Sequence, residues 1–491
     1  MAVVLAFICS LILSPLIGWL LRIHVRATVS SALIVFALLS ACSVGPVVER
    51  GLDSAQTSKP DNADRTKAES GIKLEACQPS SRDQQKKGQG GAASEDHIST
   101  SEKVGDLTFQ AGNDARLKID GPGTYGAMFA DMEKAKQHIH LETFILEDGK
   151  VGEDLAERLI AIRRRGVEIR ILIDAFGSMD LPDEYVERLQ QHGIELRKFH
   201  PIDPSEDPRI WRSNNRDHRK LLIIDGKIAY TGGLNFSAVY SEGSFSVQST
   251  SGSVDPDTDS AWRDTQVRIV GPAVSQFQHY FLAMWNKDIS PEEPLQGETY
   301  FPVIDAQGNI AVAVVASSGG DSDEFNVYSL VVSAIEQARR RVWITQAYFA
   351  PNPEFIDRFT AAARRGIDLR LLLPGVSDSS LVVQASRSSY QALLESGVRI
   401  YERSGSVLHA KTIVVDGVWS SIGSTNFDYR SFVHNYELNA VLVSCHFGAA
   451  MEKLFEVDLT QSKEITLEAW ENRPFSQRFE EWIGDMFREW L

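Results

Sequence analysis

Cysteine is scarce: Cys9, Cys42, Cys77 and Cys445 are the four in 491 residues, and none stands in C-x-x-C spacing with another. Neither a zinc site nor a disulfide framework follows from that spacing, and apart from Cys42 they read as scattered thiols. Basic charge is also short. Fifty Lys and Arg face 66 Asp and Glu, a net charge of −16. Nucleic-acid binding calls for a basic footprint, so no nucleic-acid partner is expected. Aromatic residues are missing from the stretch Glu49 to Val104, which is rich in Ser, Gln, Lys, Asp and Gly. Such a segment cannot bury enough apolar surface to offset its ordering entropy. Residues 49–104 are therefore expected to be a disordered linker.

Charge is missing altogether from Ala2 to Leu21. A run of about 20 apolar residues is enough to cross a bilayer. Arg22 and Arg26 follow, then a second uncharged run from Ala27 to Cys42. Two readings stay open. The runs form a hairpin of membrane helices, or Arg22–Ala41 is a secretory signal with a basic start and an apolar middle. Leu39-Ser40-Ala41-Cys42 resembles a bacterial lipobox, which would make Cys42 a lipidated first residue of the mature chain. Either way residues 1–48 are expected to attach the protein to a bacterial cell membrane.

The remainder is one pattern written twice. Lys134–Asp174 and Gln337–Pro374 each read as an apolar strand, an amphipathic helix, Arg-Arg-Gly and a second strand. Gly166 and Gly366 suit helix ends. Strand–helix–strand alternation predicts βαβ units around a parallel or mixed sheet. Each half then carries a second block. The first is His218-x-Lys220 with Asp225, followed by Gly232-Gly233-Leu-Asn235. The other is His409-x-Lys411 with Asp416, followed by Gly423-Ser424-Thr-Asn426. His to Asp spans seven positions in both, Asp to Asn spans ten in both, and the blocks lie 191 residues apart. Two domains of one plan are expected over residues 105–290 and 298–491.

Residues two apart on a strand face the same way. His218 and Lys220 thus share a face, as do His409 and Lys411, and cations on an inward face need an anion between them. A phosphodiester is such an anion. Two lysines and two asparagine amides can hold its non-bridging oxygens. One imidazole can attack phosphorus while the other protonates the leaving alkoxide, roles that suit a side chain with an ordinary pKa of about 6.5. No carboxylate-rich cluster accompanies the blocks, so neither metal nor cofactor is expected.

The doubled block resembles the HxKxxxxD…GxxN signature of the phospholipase D superfamily, from about Leu107 to the C-terminus. The resemblance implies two tandem α/β/α sandwich domains related by a pseudo-twofold axis. It also implies an acid downstream of each HxK that hydrogen-bonds the catalytic histidine. Glu437 matches that position in the second half and Asp264 in the first. Asp225 and Asp416 would tie turns. His140-Leu-Glu142-Thr-Phe, Asp174-Ala-Phe-Gly-Ser178, Asn215-Arg-Asp-His-Arg-Lys220 and Asn426-Phe-Asp-Tyr-Arg-Ser431 are most similar to bacterial cardiolipin synthases. That implies a phosphatidyltransferase joining two phosphatidylglycerols through a phosphohistidine. A phospholipid hydrolase, a nuclease of the same superfamily and an inactive scaffold remain as alternatives. Arg209, Arg212, Arg216 and Arg219 could meet lipid phosphates or form a solvated turn. Phe475, Phe479, Trp482, Ile483, Met486, Phe487, Trp490 and Leu491 share one helical face that could enter a bilayer interface or pack on the domain.

Overall fold

The computed structural model describes residues 90–105, 107–202, 214–244, 261–287, 297–319 and 326–488. The expected anchor with Cys42, the arginines at 209 and 212, and residues 245–260 lie outside them. Among the described residues no helix is long and apolar enough to cross a membrane.

The first half runs β1 (Gln110–Ile119), β2 (His138–Thr143), β3 (Glu168–Asp174), β4 (Glu195–Phe199), β5 (Leu221–Ile224), β6 (Ile228–Gly232) and β7 (Thr265–Val270). The second repeats the series as β8 (Ile310–Ser318), β9 (Arg341–Thr345), β10 (Asp368–Pro374), β11 (Arg399–Arg403), β12 (Thr412–Val415), β13 (Trp419–Gly423) and β14 (Tyr436–Val443), then adds the edge strand β15 (Ser462–Ile465). All join one sheet in the order β15-β11-β10-β9-β12-β13-β14-β8-β1-β7-β6-β5-β2-β3-β4. Outward from the central β8–β1 pair, both arms pass through corresponding strands. The pseudo-twofold is thus written into the strand order. In each arm a parallel trio (β2-β3-β4, β9-β10-β11) adjoins an antiparallel set.

Sequence explains the local pieces. The helix Lys150–Arg163 buries Leu155, Ala156, Leu159 and Ile162 on one face, the i, i+4, i+7 spacing of an amphipathic helix. Its counterpart Pro353–Arg364 starts on an Asn352 side-chain cap and buries Phe355, Phe359 and Ala362. Gly166 (φ 91°) and Gly366 (φ 86°) turn each chain from helix to strand in the left-handed region, where glycine carries no Cβ penalty. Two hydrophobic clusters fill the outer layers of the two halves. A third joins both, with Phe277 and Phe281 of the helix Val274–Trp285 packed in the same cluster as Phe447, Met451 and Phe455 of the helix Cys445–Leu459.

Two expectations change, and one that was left open is narrowed. Residues 90–105, inside the expected linker, form a helix. Ile98 is buried in the second half's core, Trp419 donates its indole N–H to Ser101 Oγ at 3.3 Å, and Asp96 pairs with Arg339. With one large apolar residue on its buried face, the segment has little signal of its own, and its partners come from over 200 residues away. Cys445 is disulfide-bonded rather than a free thiol; its partner lies outside the described residues. In the helix Phe475–Met486 the apolar face points outward, and Glu481 and Gly484 are the buried residues.

Candidate active site

Each histidine sits just before a short apolar strand, β5 or β12, whose following turn is tied by the block's aspartate. Asp225 accepts the backbone N–H groups of Lys136 (2.9 Å), Gln137 (2.8 Å) and His138 (3.0 Å). Asp416 accepts those of Arg339 (2.9 Å), Arg340 (2.8 Å) and Arg341 (2.9 Å). Both adopt positive φ, 53° and 55°, a strain that three charge-assisted bonds can hold. They anchor β2 and β9 to the HxK strands, at the opposite end of those strands from the histidines.

The acids are where the halves interlock. Glu437 lies in the second half, yet it meets His218: Nδ1 is 3.0 and 3.1 Å from the two carboxylate oxygens. Asp264 lies in the first half and meets His409, with Nδ1 to Oδ2 at 2.8 Å. Each acid thus serves the histidine of the other half, not its own. Backbone pairing explains this. His218 N donates to Tyr436 O (3.0 Å) and Tyr436 N to Arg216 O (2.8 Å), while Arg263 N donates to Val407 O (2.8 Å) and His409 N to Arg263 O (2.7 Å). The segment before each histidine is zipped to the segment carrying the other half's acid, which makes one site of two blocks.

Lys220 Nζ donates to His218 O and Lys411 Nζ to His409 O, each at 2.6 Å. Lys411 Nζ also stands 2.9 Å from His409 Nε2. All four side chains are nearly inaccessible. Burial, then the Lys411 charge, lowers Lys220 to about 7; burial lowers Lys411 to about 8. Burial also lowers both histidines, His218 to about 4, with the lysines adding to it. Burial pushes the Glu437 carboxyl up, but His218 and Lys220 outweigh it and hold the group below its ordinary value. The site is thus a buried cluster of cation-forming groups, electrostatically ready for an anion.

Ser424 donates its hydroxyl to Glu437, while Leu438 N donates to Ser424 Oγ at 3.0 Å. Its counterpart Gly233 has no room for a side chain: a Cβ there would lie 2.4 Å from Asp264 Oδ1 and 2.8 Å from His409 O. Asn235 Oδ1 accepts the Ile145 N–H at 3.2 Å, and the buried Asn426 Oδ1 has no hydrogen-bond partner among the described residues. Arg216 and Arg219 bond within the protein. Arg216 donates to His200 O (2.9 Å) and lies 3.7 Å from Asp174, and Arg219 donates to Ser317 O (3.0 Å).

Sequence reasoning missed Tyr240. Its hydroxyl is 2.9 Å from His409 Nδ1, and it is buried. The matching position in the second half is Ser431, five residues beyond Asn426 as Tyr240 is beyond Asn235. Only that break in the repeat could have drawn attention to it. Arg263 was missed too. Its guanidinium clamps both oxygens of Asp458 at 2.8 Å across the two halves, next to Asp264.

A family model described as "Cardiolipin synthase, PLD-like domain" matches residues 128–285 and 331–459. A cardiolipin synthase of Geobacillus kaustophilus (strain HTA426) is 35% identical over 389 residues, 78% of this chain and 73% of that protein. Cardiolipin synthase 2 of Staphylococcus epidermidis (strain ATCC 12228 / FDA PCI 1200) is 31% identical over 375 residues, 76% of this chain and 74% of that one. Among solved structures, a phosphatidylserine synthase of Haemophilus influenzae Rd KW20 aligns with a TM-score of 0.58 and 12% identity, over 80% of this chain and 97% of that one, a likeness of fold. The chain belongs to the cardiolipin synthase family of phospholipase D-like enzymes.

Proposed function

We propose that this enzyme transfers a phosphatidyl group from one phosphatidylglycerol to the hydroxyl of another, releasing glycerol, through a phosphohistidine on His218. The observation that carries the reading is the crossed pairing of two histidines with two acids around two buried lysines. Nδ1–H of His218 donates to Glu437, so Nε2 keeps its lone pair. That lone pair attacks phosphorus, the ester P–O bond breaks, and the departing alkoxide takes a proton from His409. Glycerol leaves. A hydroxyl of the second lipid gives its proton to His409 and attacks phosphorus, and the P–N bond breaks. Lys220, Lys411, Asn235 and Asn426 hold the non-bridging oxygens, where charge builds up at each displacement. The diester's negative charge also raises the pKa of the buried His409, which must arrive protonated. Chemistry of this kind asks for no metal or cofactor, and no nucleic acid is the expected partner. The work is done at a bacterial cell membrane to which residues 1–48 attach the chain.

Acid-quenched mass spectrometry after mixing with labelled phosphatidylglycerol tests this. Label is expected on His218, and cardiolipin and glycerol as products. Label on His409 alone reverses the two roles. Phosphatidic acid as the sole lipid product favours the hydrolase, in which water resolves the same intermediate.

A further inference from the structure

The C-terminal helix Phe475–Met486 is mounted inside out. Amphipathic helices of soluble domains turn their apolar stripe to the core. Here Phe475, Phe479, Trp482 and Met486, at helical spacing i, i+4, i+7, i+11, are 81%, 50%, 56% and 59% exposed, while Glu481 and Gly484 are buried. The mounting is specific. Gly484 lies so close to the helix Ser380–Ser388 that a Cβ would come within 2.5 Å of Ala385 N. Arg473 clamps Glu481 at 2.7–3.1 Å, Gln384 donates to Glu480 at 3.2 Å, and Ser388 to Asp485 at 3.2 Å. Polar bonds and a close crossing fix the inner face, and the stripe is left outward.

Its position is informative. The helix Ser380–Ser388 follows β10, and strands of the parallel trio end on the side where the histidines stand. Between β10 and that helix, Asp378 accepts the Tyr348 hydroxyl at 2.7 Å, and the Tyr348 ring lies edge-on to His409 at 6.2 Å. In the other half, the segments after β3 and β4 expose Phe176, Met179 and Ile202. Seven of the ten large exposed apolar residues among those described thus sit either on the segments after β3 and β4 or on the helix packed against the one that follows β10. Scattered single exposures are ordinary, but a contiguous aromatic stripe marks an interaction surface.

We infer that the outward face of Phe475–Met486 docks on the surface of a phospholipid bilayer and sets the active site against it. Resting on the lipid reading above, this adds a second contact to the expected N-terminal one. Three features favour lipid as the occupant. Trp and Phe partition to the apolar–polar boundary of a bilayer. The acids Glu480, Glu481 and Asp485 bond to Gln384, Arg473 and Ser388 on the inner side and take no part in the outward stripe, which is wholly apolar. Residues outside the described part include the 20-residue uncharged run Ala2–Leu21, which is expected to meet a bilayer as well.

Full-length protein bound to vesicles of phosphatidylcholine brominated near the headgroup tests the contact by tryptophan quenching, without any need for turnover. Trp482→Phe is expected to remove a distinct share of the quenching, and that share to persist in about 1 M salt, where charge-led contacts are screened. Equal quenching of wild type and Trp482→Phe overturns the inference. So does a shift from dimer to monomer on Phe479→Glu with no change in quenching, which makes a second copy the occupant. Turnover is scored separately. Phe479→Glu is expected to lower activity on vesicle phosphatidylglycerol at least tenfold and to spare a short-chain, monomeric phosphatidylglycerol. Equal loss on both assigns the helix a merely structural role. A protein that shows the Trp482 quenching but makes no cardiolipin refutes the transferase reading and leaves the docking face standing.

Discussion

His218 and His409 occupy equivalent positions of the repeat, but the sockets that hold them differ. At His218, both oxygens of Glu437 face Nδ1, and the Ser424 hydroxyl braces that carboxylate from behind. Nδ1 meets only acceptors there, so the ring is held with Nε2 bare, the form a nucleophile needs. At His409, the shorter Asp264 takes the acid's place, glycine replaces the bracing serine, and Tyr240 brings a phenol to the same Nδ1. Burial keeps that phenol protonated. It can donate to Nδ1 when that nitrogen is bare and accept from it when it is not, so either tautomer of His409 finds a partner. A ring that cycles between acid and base benefits from that latitude. A repeat built from two copies of one block has thus become asymmetric through three substitutions around it.

The sharpest way to break the comparison is to remove each histidine and vary the leaving group. His218→Ala and His409→Ala should each lower kcat on phosphatidylglycerol by about 10⁴-fold or more, since groups that act as a unit fail together. With a nitrophenyl leaving group, which departs without a proton, His409→Ala should recover most of its rate and His218→Ala none. Recovery of both, or of His218→Ala alone, would exchange the sockets' roles. Glu437→Gln and Asp264→Asn come next, at roughly 10³-fold through loss of the correct tautomer. Rapid-quench kinetics should assign the first to slower phosphohistidine formation with either leaving group, and the second to slower departure of glycerol.

The lysines bear on both sockets. Burial disfavours the charge on Lys220 and Lys411 and lowers them to about 7 and about 8. They lose their protons as pH rises through those values. kcat/KM for the anionic substrate, which reports free enzyme, should therefore fall about tenfold per unit between about pH 7 and 8, and more steeply, toward about a hundredfold per unit, above about pH 8. A flat profile from pH 7 to 9 would mean that the lysine charge is not what binds the diester. Smallest is Tyr240→Phe. Loss of one buried hydrogen bond, about 1 kcal/mol, should slow turnover of phosphatidylglycerol roughly fivefold and leave the nitrophenyl substrate untouched. Ser424→Ala, its counterpart at the other socket, should slow both substrates alike.

Much of this was legible in the chain. Two copies of H-x-K-x4-D with a following G-x-x-N, in equal internal spacing, identified the blocks because an i, i+2 pair of cations on a strand is hard to explain without an anion. The positions of Asp264 and Glu437 were legible only through the family resemblance, and their crossed assignment was not, since it depends on backbone pairing between segments 145 and 219 residues from the histidines they serve. Tyr240 was invisible because its position breaks the repeat. The helix at residues 90–105 was misread because its burial is decided by Trp419 and the second half's core, not by its own apolar content.

By itself the sequence determined the repeat, the α/β alternation and the identity of the paired cations. These depend on local periodicity and on residue chemistry at short spacing, which a chain carries whatever its tertiary partners. Only the tertiary structure decided which acid serves which histidine, that the two arms share a single sheet through β1 and β8, and which face of the last helix looks outward. Each of those is a choice among partners distant in the chain, settled by which surfaces meet: Arg216 and Tyr436, Arg263 and Val407, Gly484 and Ala385.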